Sequence, residues 1–380
     1  MNRATAGAVQ FSNTGSEPPA SLAANDSPWL MQFGQVAAIH QRFEQLSANR
    51  SALVSPPTVA ELEKALHQPV RACELHHENW RNRVYRVELG NGAVAIAKQV
   101  LIGTEGTEHR QFDELECLGQ LQIPGLQVPK PMALLPEKRL LIMEFAPGQT
   151  ITALLSRRAC AEEGLRACEL AGAILARLHR AWAEAVCSVP VEQLAEDMAA
   201  VRWRSSRWHR ETLSRTLKEL GAARVSVGRM HYDYEPANLL LDREQLFLID
   251  PSDGSHWGVQ LFEVATFRSA LRRRRLRRPF AWRRGLLNEA IHQFQSAYLA
   301  QGGGGDLEPR LFTLAILFFE LQRAAQLFVG QKLKIDMARR RADINSHFEG
   351  PVMNRAHLGF VELYKRWLFS QLARELAASK

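Results

Sequence analysis

The stretch Met230 to Asp253 constrains this chain more than any other. Leu239-Leu240-Leu241 and Leu246-Phe247-Leu248-Ile249 are short apolar runs joined by the polar turn Asp242 to Gln245, the pattern of a β-hairpin. Pairing Leu241 with Leu246 sets the register and puts Asn238 opposite Ile249, next to Asp250. Asn238 and Asp250 then leave the same end of one hairpin, about 5 to 8 Å apart by ordinary cross-strand spacing. Two hard oxygen donors so placed suit Mg²⁺, which completes its shell with water and substrate phosphates. Asp233 lies just upstream, in a loop where Pro236 disfavours helix for the residue before it. Its carboxylate is placed to accept a proton from an attacking hydroxyl. Singly, Asp and Asn are ordinary turn formers. Their joint spacing is what points to chemistry.

A chain of 380 residues is long enough for two domains and a sizeable core. Apolar residues at 46% and charged residues at 23% exclude collagen, coiled-coil rods and wholly disordered chains. The first thirty residues carry no secretory apolar segment, and the longest apolar run, Leu311 to Phe319, is shorter than the ~20 residues a bilayer span needs. A cytoplasmic location is expected. The cysteines Cys73, Cys117, Cys160, Cys168 and Cys187 are odd in number and form no CxxC pair, which reads as reduced thiols.

Residues 1–27 lack hydrophobic periodicity and are expected to form a disordered tail. Leu30, Phe33, Val36, Ile39, Phe43 and Leu46 recur at helical spacing. Thr58 and Glu61 make a capping box for a helix ending near His67. Val84 to Leu89 and Ala93 to Lys98 flank Gly90-Asn91-Gly92 as a second hairpin, with Val84 opposite Lys98 beside a polar loop, His76 to Arg83. A helix over Glu108 to Leu121 and a strand over Leu140 to Met143 follow, and Pro147-Gly148 offers a boundary. Beyond it the pattern is helical: Glu162 to Trp182, then 286–299, 308–328 and 358–377. Residues 28–146 are thus expected as N-terminal helices and a small sheet domain, and 147–380 as a larger helical one.

His231-x-Asp233-x4-Asn238 followed by Asp250 resembles the catalytic and metal loops of the aminoglycoside phosphotransferase and choline kinase group. Asn82-Arg83-Val84-Tyr85-Arg86-Val87, Lys98, Asp113-Glu114, the run Leu140 to Gly148 and Ala176-Arg177-Leu178-His179 match in the same order. The resemblance spans roughly residues 60 to 300. It implies an α+β, two-lobed protein-kinase-like fold with an antiparallel-sheet N-lobe and a mostly helical C-lobe. The implied activity is Mg²⁺-dependent transfer of the γ-phosphoryl group of ATP, with GTP as the alternative donor, to a hydroxyl of a small molecule.

Residue by residue, the resemblance implies that Lys98 pairs with the α and β phosphates and is held by Glu114. Asp233 acts as base, Asn238 and Asp250 bind Mg²⁺, and backbone groups of Glu144 and Ala146 hold adenine. The phosphate-covering loop has no glycine, so side chains of Arg81, Asn82 or Arg83 would take over its contacts. Tyr232 stands where the group often has glycine, Glu263 where it commonly has aspartate, and Val259 where an aspartate often follows glycine. Acceptor-side candidates are Trp203, Arg204 and Arg207, with core packing as the competing account of the tryptophan. His231 and His179 read as braces more readily than as acid or base.

The net charge of +8 comes from one place, since residues 268–284 hold nine arginines and no acid. Three readings stand: a solvated helix face, a surface for acidic membrane lipid aided by Phe280 and Trp282, or a contact for an anionic substrate or nucleic acid. Nucleic acid is not the expected partner. An anionic or sugar-like hydroxyl acceptor is. Other classes remain open: a pseudokinase or binding module docked through the arginines, and a glycolipid sugar kinase at a membrane face.

Overall fold

Thr58 and Glu61 close the first helix as their spacing requires. Thr58 Oγ1 accepts from the Glu61 N–H at 3.3 Å, and Glu61 Oε2 accepts from the Thr58 N–H at 2.8 Å. This helix, α1 (Val59–Leu66), ends at His67 with φ +52°. The computed structural model describes residues 55–79, 82–101, 105–201, 205–251, 256–277, 285–340 and 351–378. The expected tail, the helix over 28–46, Arg81, Trp203, Arg204 and the arginine stretch from residue 278 lie outside the described residues.

Strands β1 (Val70–Glu78), β2 (Asn82–Leu89), β3 (Val94–Val100), β5 (Pro131–Leu135) and β6 (Leu140–Glu144) form an antiparallel sheet in the order β1-β2-β3-β6-β5. Val84 pairs with Lys98, as the Gly90-Asn91-Gly92 turn predicts. The polar loop expected from His76 is instead the end of β1, which pairs down to Glu78 opposite Arg83. Most of β1 is solvated, so it carries no alternating apolar signal, and backbone pairing to β2 makes it a strand.

The sheet is covered on both faces. Leu140 and Ile142 join α1 residue Leu62 in one cluster, while Leu141 and Met143 pack with Leu115 of α2 (Thr107–Gln120) in another. The period of two along β6 thus feeds two layers.

Short strands β4 (Leu126–Gln127) and β7 (Gln149–Thr150) flank a hairpin of β10 (Leu239–Asp242) and β11 (Gln245–Leu248) in the order β4-β11-β10-β7. Gly148, with φ +101°, enters β7 so close to this hairpin that a Cβ would lie 2.2 Å from the Leu241 carbonyl oxygen. Gly148→Ala combines a left-handed backbone with a main-chain clash and is expected to cost at least about 2 kcal/mol. Unchanged chemical denaturation of that variant would mean the segment does not dock on β10.

Helices α3 (Ile151–Ser156) and α4 (Ala161–Trp182) pack on the hairpin, and α5 (Val191–Ala200) packs with α6 (Arg207–Leu220). A third sheet orders β12 (His256–Val259), β9 (Arg224–Met230) and β8 (Ala183–Ser188). Helices α7 (Leu261–Arg277), α8 (Leu286–Ala300), α9 (Pro309–Arg340) and α10 (Pro351–Ala377) complete the C-terminal region. Within α9, Pro309–Lys332 is long and apolar enough to cross a membrane, yet 78% of its most apolar window is buried inside the protein, as a core helix is.

The arginine stretch begins as part of this core and not as a solvated face. Arg268 is 5% exposed and pairs with the buried Glu320 of α9 at 2.9 Å. Arg272 reaches the same carboxylate at 3.5 Å and lies 4.4 Å from the Trp367 ring centroid. Arg273 goes to Glu235. A composition window cannot see these partners, because the acids sit far away in sequence. Arg268, Arg272 and Arg273 are therefore committed internally and are not available to a membrane.

Candidate active site

The β10–β11 hairpin has the predicted register, Leu239 with Leu248 and Leu241 with Leu246, and the Ile249 N–H donates to the Asn238 carbonyl at 2.9 Å. Asn238 and Asp250 therefore flank one hairpin end. Two hydrogen bonds tie the preceding loop to its surroundings. Tyr234, fully buried, donates its hydroxyl to the Ala171 carbonyl of α4 at 2.9 Å. His231 is fully buried, edge-on to Tyr234. Tyr232 adopts φ +69°, a region that favours glycine, and its N–H donates to Glu263 Oε1 at 2.8 Å. The other Glu263 oxygen meets His179 at 3.0 Å, and His179 meets the Tyr298 hydroxyl at 3.0 Å. Glu263 thus gives this loop the support its departure from aspartate left open, and His179 is a brace.

Asn238 Nδ2 donates to the Asp233 carbonyl at 3.0 Å and to its Oδ2 at 3.2 Å. That orientation turns the Asn238 amide oxygen away from Asp233. Asp233 Oδ1 accepts from Arg323 Nη2 at 2.9 Å, and the same nitrogen reaches Glu235 Oε1 at 3.0 Å. Arg273 Nη2 meets that Glu235 oxygen at 2.9 Å. Lost solvation first, then the charge of Glu235, hold the Asp233 carboxyl above its ordinary range, against the pull of Arg323. Burial pushes Glu235 the same way, but Arg273 and Arg323 outweigh it and leave Glu235 below its ordinary range. The Asp233 side chain remains 41% exposed, so a substrate hydroxyl has access to it.

Lys98, at 5% side-chain exposure, projects from β3 and pairs with Asp250. The expected Lys98–Glu114 pair is not formed. Glu114 pairs instead with Arg229 of β9, whose guanidinium also donates to Cys117 Sγ at 3.0 Å and lies 5.3 Å from the Trp182 ring centroid. Asp250 offers Lys98 a nearer carboxylate, and the fork of Arg229 satisfies Glu114 with extra contacts that an ammonium does not make.

The remaining candidates fall in different places. The Asn82 backbone N–H donates to Asn79 Oδ1 at 2.9 Å, and the Arg83 side chain pairs with Glu78 at 3.0 Å, within its own hairpin. The Glu144 N–H is committed to the Lys130 carbonyl at 2.9 Å, and Ala146 lies buried after the half-exposed Phe145. Arg207, 88% exposed, pairs along its helix with Glu211 at 2.6 Å and is not drawn to Asp233. Arg323 and Arg229 are the residues that sequence reasoning missed. Arg323 had a signal: a cation inside the mostly apolar helical segment 308–328 must find a partner when buried.

A cation site built from these residues fits Mg²⁺. Asn238 and Asp250 offer oxygen donors at one hairpin end, the donor type that Mg²⁺ takes.

A search of curated protein sequences finds no match. Solved structures share the fold over nearly their whole length. A choline/ethanolamine kinase family protein from Mesorhizobium loti is 13% identical, with TM-score 0.53, over 89% of this chain and 98% of its own. A macrolide 2′-phosphotransferase from Brachybacterium faecium is 16% identical, with TM-score 0.52, over 83% and 98%. A thermostable aminoglycoside phosphotransferase APH(4)-Ia mutant, in ternary complex with ADP and hygromycin B, is 12% identical, with TM-score 0.51, over 84% and 98%. The model of the phosphotransferase enzyme family (APH) matches residues 72–308, which include Lys98, the 231–238 loop and Asp250, and the chain belongs to that family, with its two-lobed protein-kinase-like fold.

Proposed function

We propose that this kinase-type transferase moves the γ-phosphoryl group of ATP, with Mg²⁺, to a hydroxyl of a small-molecule acceptor. The observation that carries the reading is the convergence of Asp233, Asn238 and Asp250 at one hairpin end with Lys98 of the sheet paired across to Asp250. Asn238 and Asp250 would hold Mg²⁺, which when bound supplies charge neutralisation for the phosphates. Lys98 would meet the α and β phosphates. Asp233, fixed by Asn238 and Arg323, accepts the acceptor's hydroxyl proton, and alignment does much of the rest. We place the lobe boundary at 146/147, where Gly148 anchors the connecting segment, and expect the reaction in the cytoplasm.

A binding module without turnover is the second reading, favoured by the engagement of the Arg83 side chain with Glu78. Two measurements separate them. Thermal stabilisation by ATP should require Mg²⁺, and purified protein should consume ATP against some member of a metabolite panel, with mass spectrometry showing a product heavier by one phosphoryl group. Mg²⁺-dependent binding with no consumption across the panel would favour the module; no nucleotide binding would end the phosphotransferase reading.

A further inference from the structure

Arg323 and Arg273 approach the catalytic loop from two different helices, α9 and α7, and converge on Glu235, with Arg323 continuing to Asp233. Their donors are only partly used. A guanidinium carries five N–H donors. One Arg323 nitrogen serves both carboxylates, its Nη1 meets Gln326 at a long 3.4 Å, and the Nε atoms of Arg323 and Arg273 are buried with no hydrogen-bond partner among the described residues. Arg274 also lies close enough for its charge to favour ionised Glu235. The three arginines face two carboxylates, Asp233 and Glu235, at this end of the loop.

The consequence for an acceptor follows from Asp233. Its Oδ1 is shared with Arg323 and its Oδ2 with Asn238, so a hydroxyl that hydrogen-bonds to Oδ1 comes beside the Arg323 guanidinium. A substituent on the neighbouring carbon then lies within reach of the same fork. An ammonium there meets a fixed, poorly solvated cation. A carboxylate or phosphate meets guanidinium N–H groups that form charge-assisted hydrogen bonds with it.

We propose that Arg323, braced by Arg273 through Glu235, reads an oxyanion on the acceptor, a carboxylate or phosphate monoester close to the reacting hydroxyl. The site thereby takes hydroxy acids or phosphorylated polyols and rejects amino-bearing acceptors. This deepens the phosphotransferase reading and rests on it. Arg323 is a specificity residue at the acceptor side, and Arg273 positions it.

The test uses the full chain saturated with Mg²⁺ and a non-hydrolysable ATP analogue, so that the nucleotide site is filled. Gluconate, glucitol and glucamine share one polyol chain and differ in the charge of one end; glucose 6-phosphate supplies the phosphate source. At matched ionic strength, gluconate or glucose 6-phosphate should bind about tenfold or more tighter than glucitol by thermal shift, and glucamine weakest, the scale of charge-assisted hydrogen bonds. Gluconate alone identifies a carboxylate reader, glucose 6-phosphate alone a phosphate reader. Arg323→Gln should erase the preference and Arg323→Lys keep part of it. Equal or better binding of glucamine or glucitol, no binding of any probe, or an anion preference that survives Arg323→Gln would overturn the proposal. The wild-type comparison decides even where a variant does not fold. Failure of the analogue itself to stabilise wild type would sink the phosphotransferase reading, whereas normal analogue binding with an amine preference sinks only this inference.

Discussion

Asp233→Ala is expected to lower turnover by about 10²- to 10⁴-fold while Mg²⁺-dependent nucleotide binding persists. The structure makes this substitution a clean probe. Asp233 is 41% exposed, so its removal opens no core cavity, and Tyr232 and Tyr234 anchor the loop independently of it. Arg323 retains Glu235 as a partner, so no buried cation is stranded. The decisive measurement pairs ATP consumption, using whichever acceptor the panel identifies, with melting in Mg²⁺ and ATP. Wild-type turnover in the variant would remove Asp233 from the mechanism.

The second large effect is expected at Asp250. Asp250→Ala should abolish metal-dependent nucleotide binding, because it removes the charged member of the Asn238–Asp250 oxygen pair. It also takes the carboxylate from Lys98, which is nearly buried. Breaking a buried pair by removing one partner commonly costs about 3–5 kcal/mol, and the 43% exposure of Asp250 places this case at or below the lower end. Loss of fold and loss of metal are separable. Asp250→Asn keeps an oxygen donor but not the charge, so it should retain much of the fold and still lose most of the Mg²⁺ effect. Normal Mg²⁺ dependence of ATP stabilisation in Asp250→Ala would refute the assignment.

Both predictions rest on a loop whose unusual residues become intelligible in three dimensions. Tyr232 has a positive φ, a backbone conformation that favours glycine. Such a backbone costs a tyrosine about 1–2 kcal/mol. The hydrogen bond to buried Glu263 and stacking on Phe262, with ring centroids 5.4 Å apart, offset it. The longer reach of Glu263 and the strained Tyr232 are parts of one local solution.

Local features were legible in the amino-acid order because local physics makes them. The α1 capping box, the turn that sets Val84 against Lys98, and the hairpin that brings Asn238 beside Asp250 depend on residues a few positions apart. Turn chemistry, capping and the periods of 2 and 3.6 suffice for such elements. The order of motifs along the chain also carried the family, because five weak signals in sequence constrain one another.

Tertiary structure alone decided which charge meets which. Lys98 sits beside Asp250 and Glu114 beside Arg229, Arg323 reaches Asp233 from ninety residues away, and arginines that look like an exposed patch neutralise Glu320 and Glu235 inside the helical region. A charge leaves water only where an opposite charge or enough donors await it, and that match depends on distance and burial in the folded chain, which residue spacing does not record.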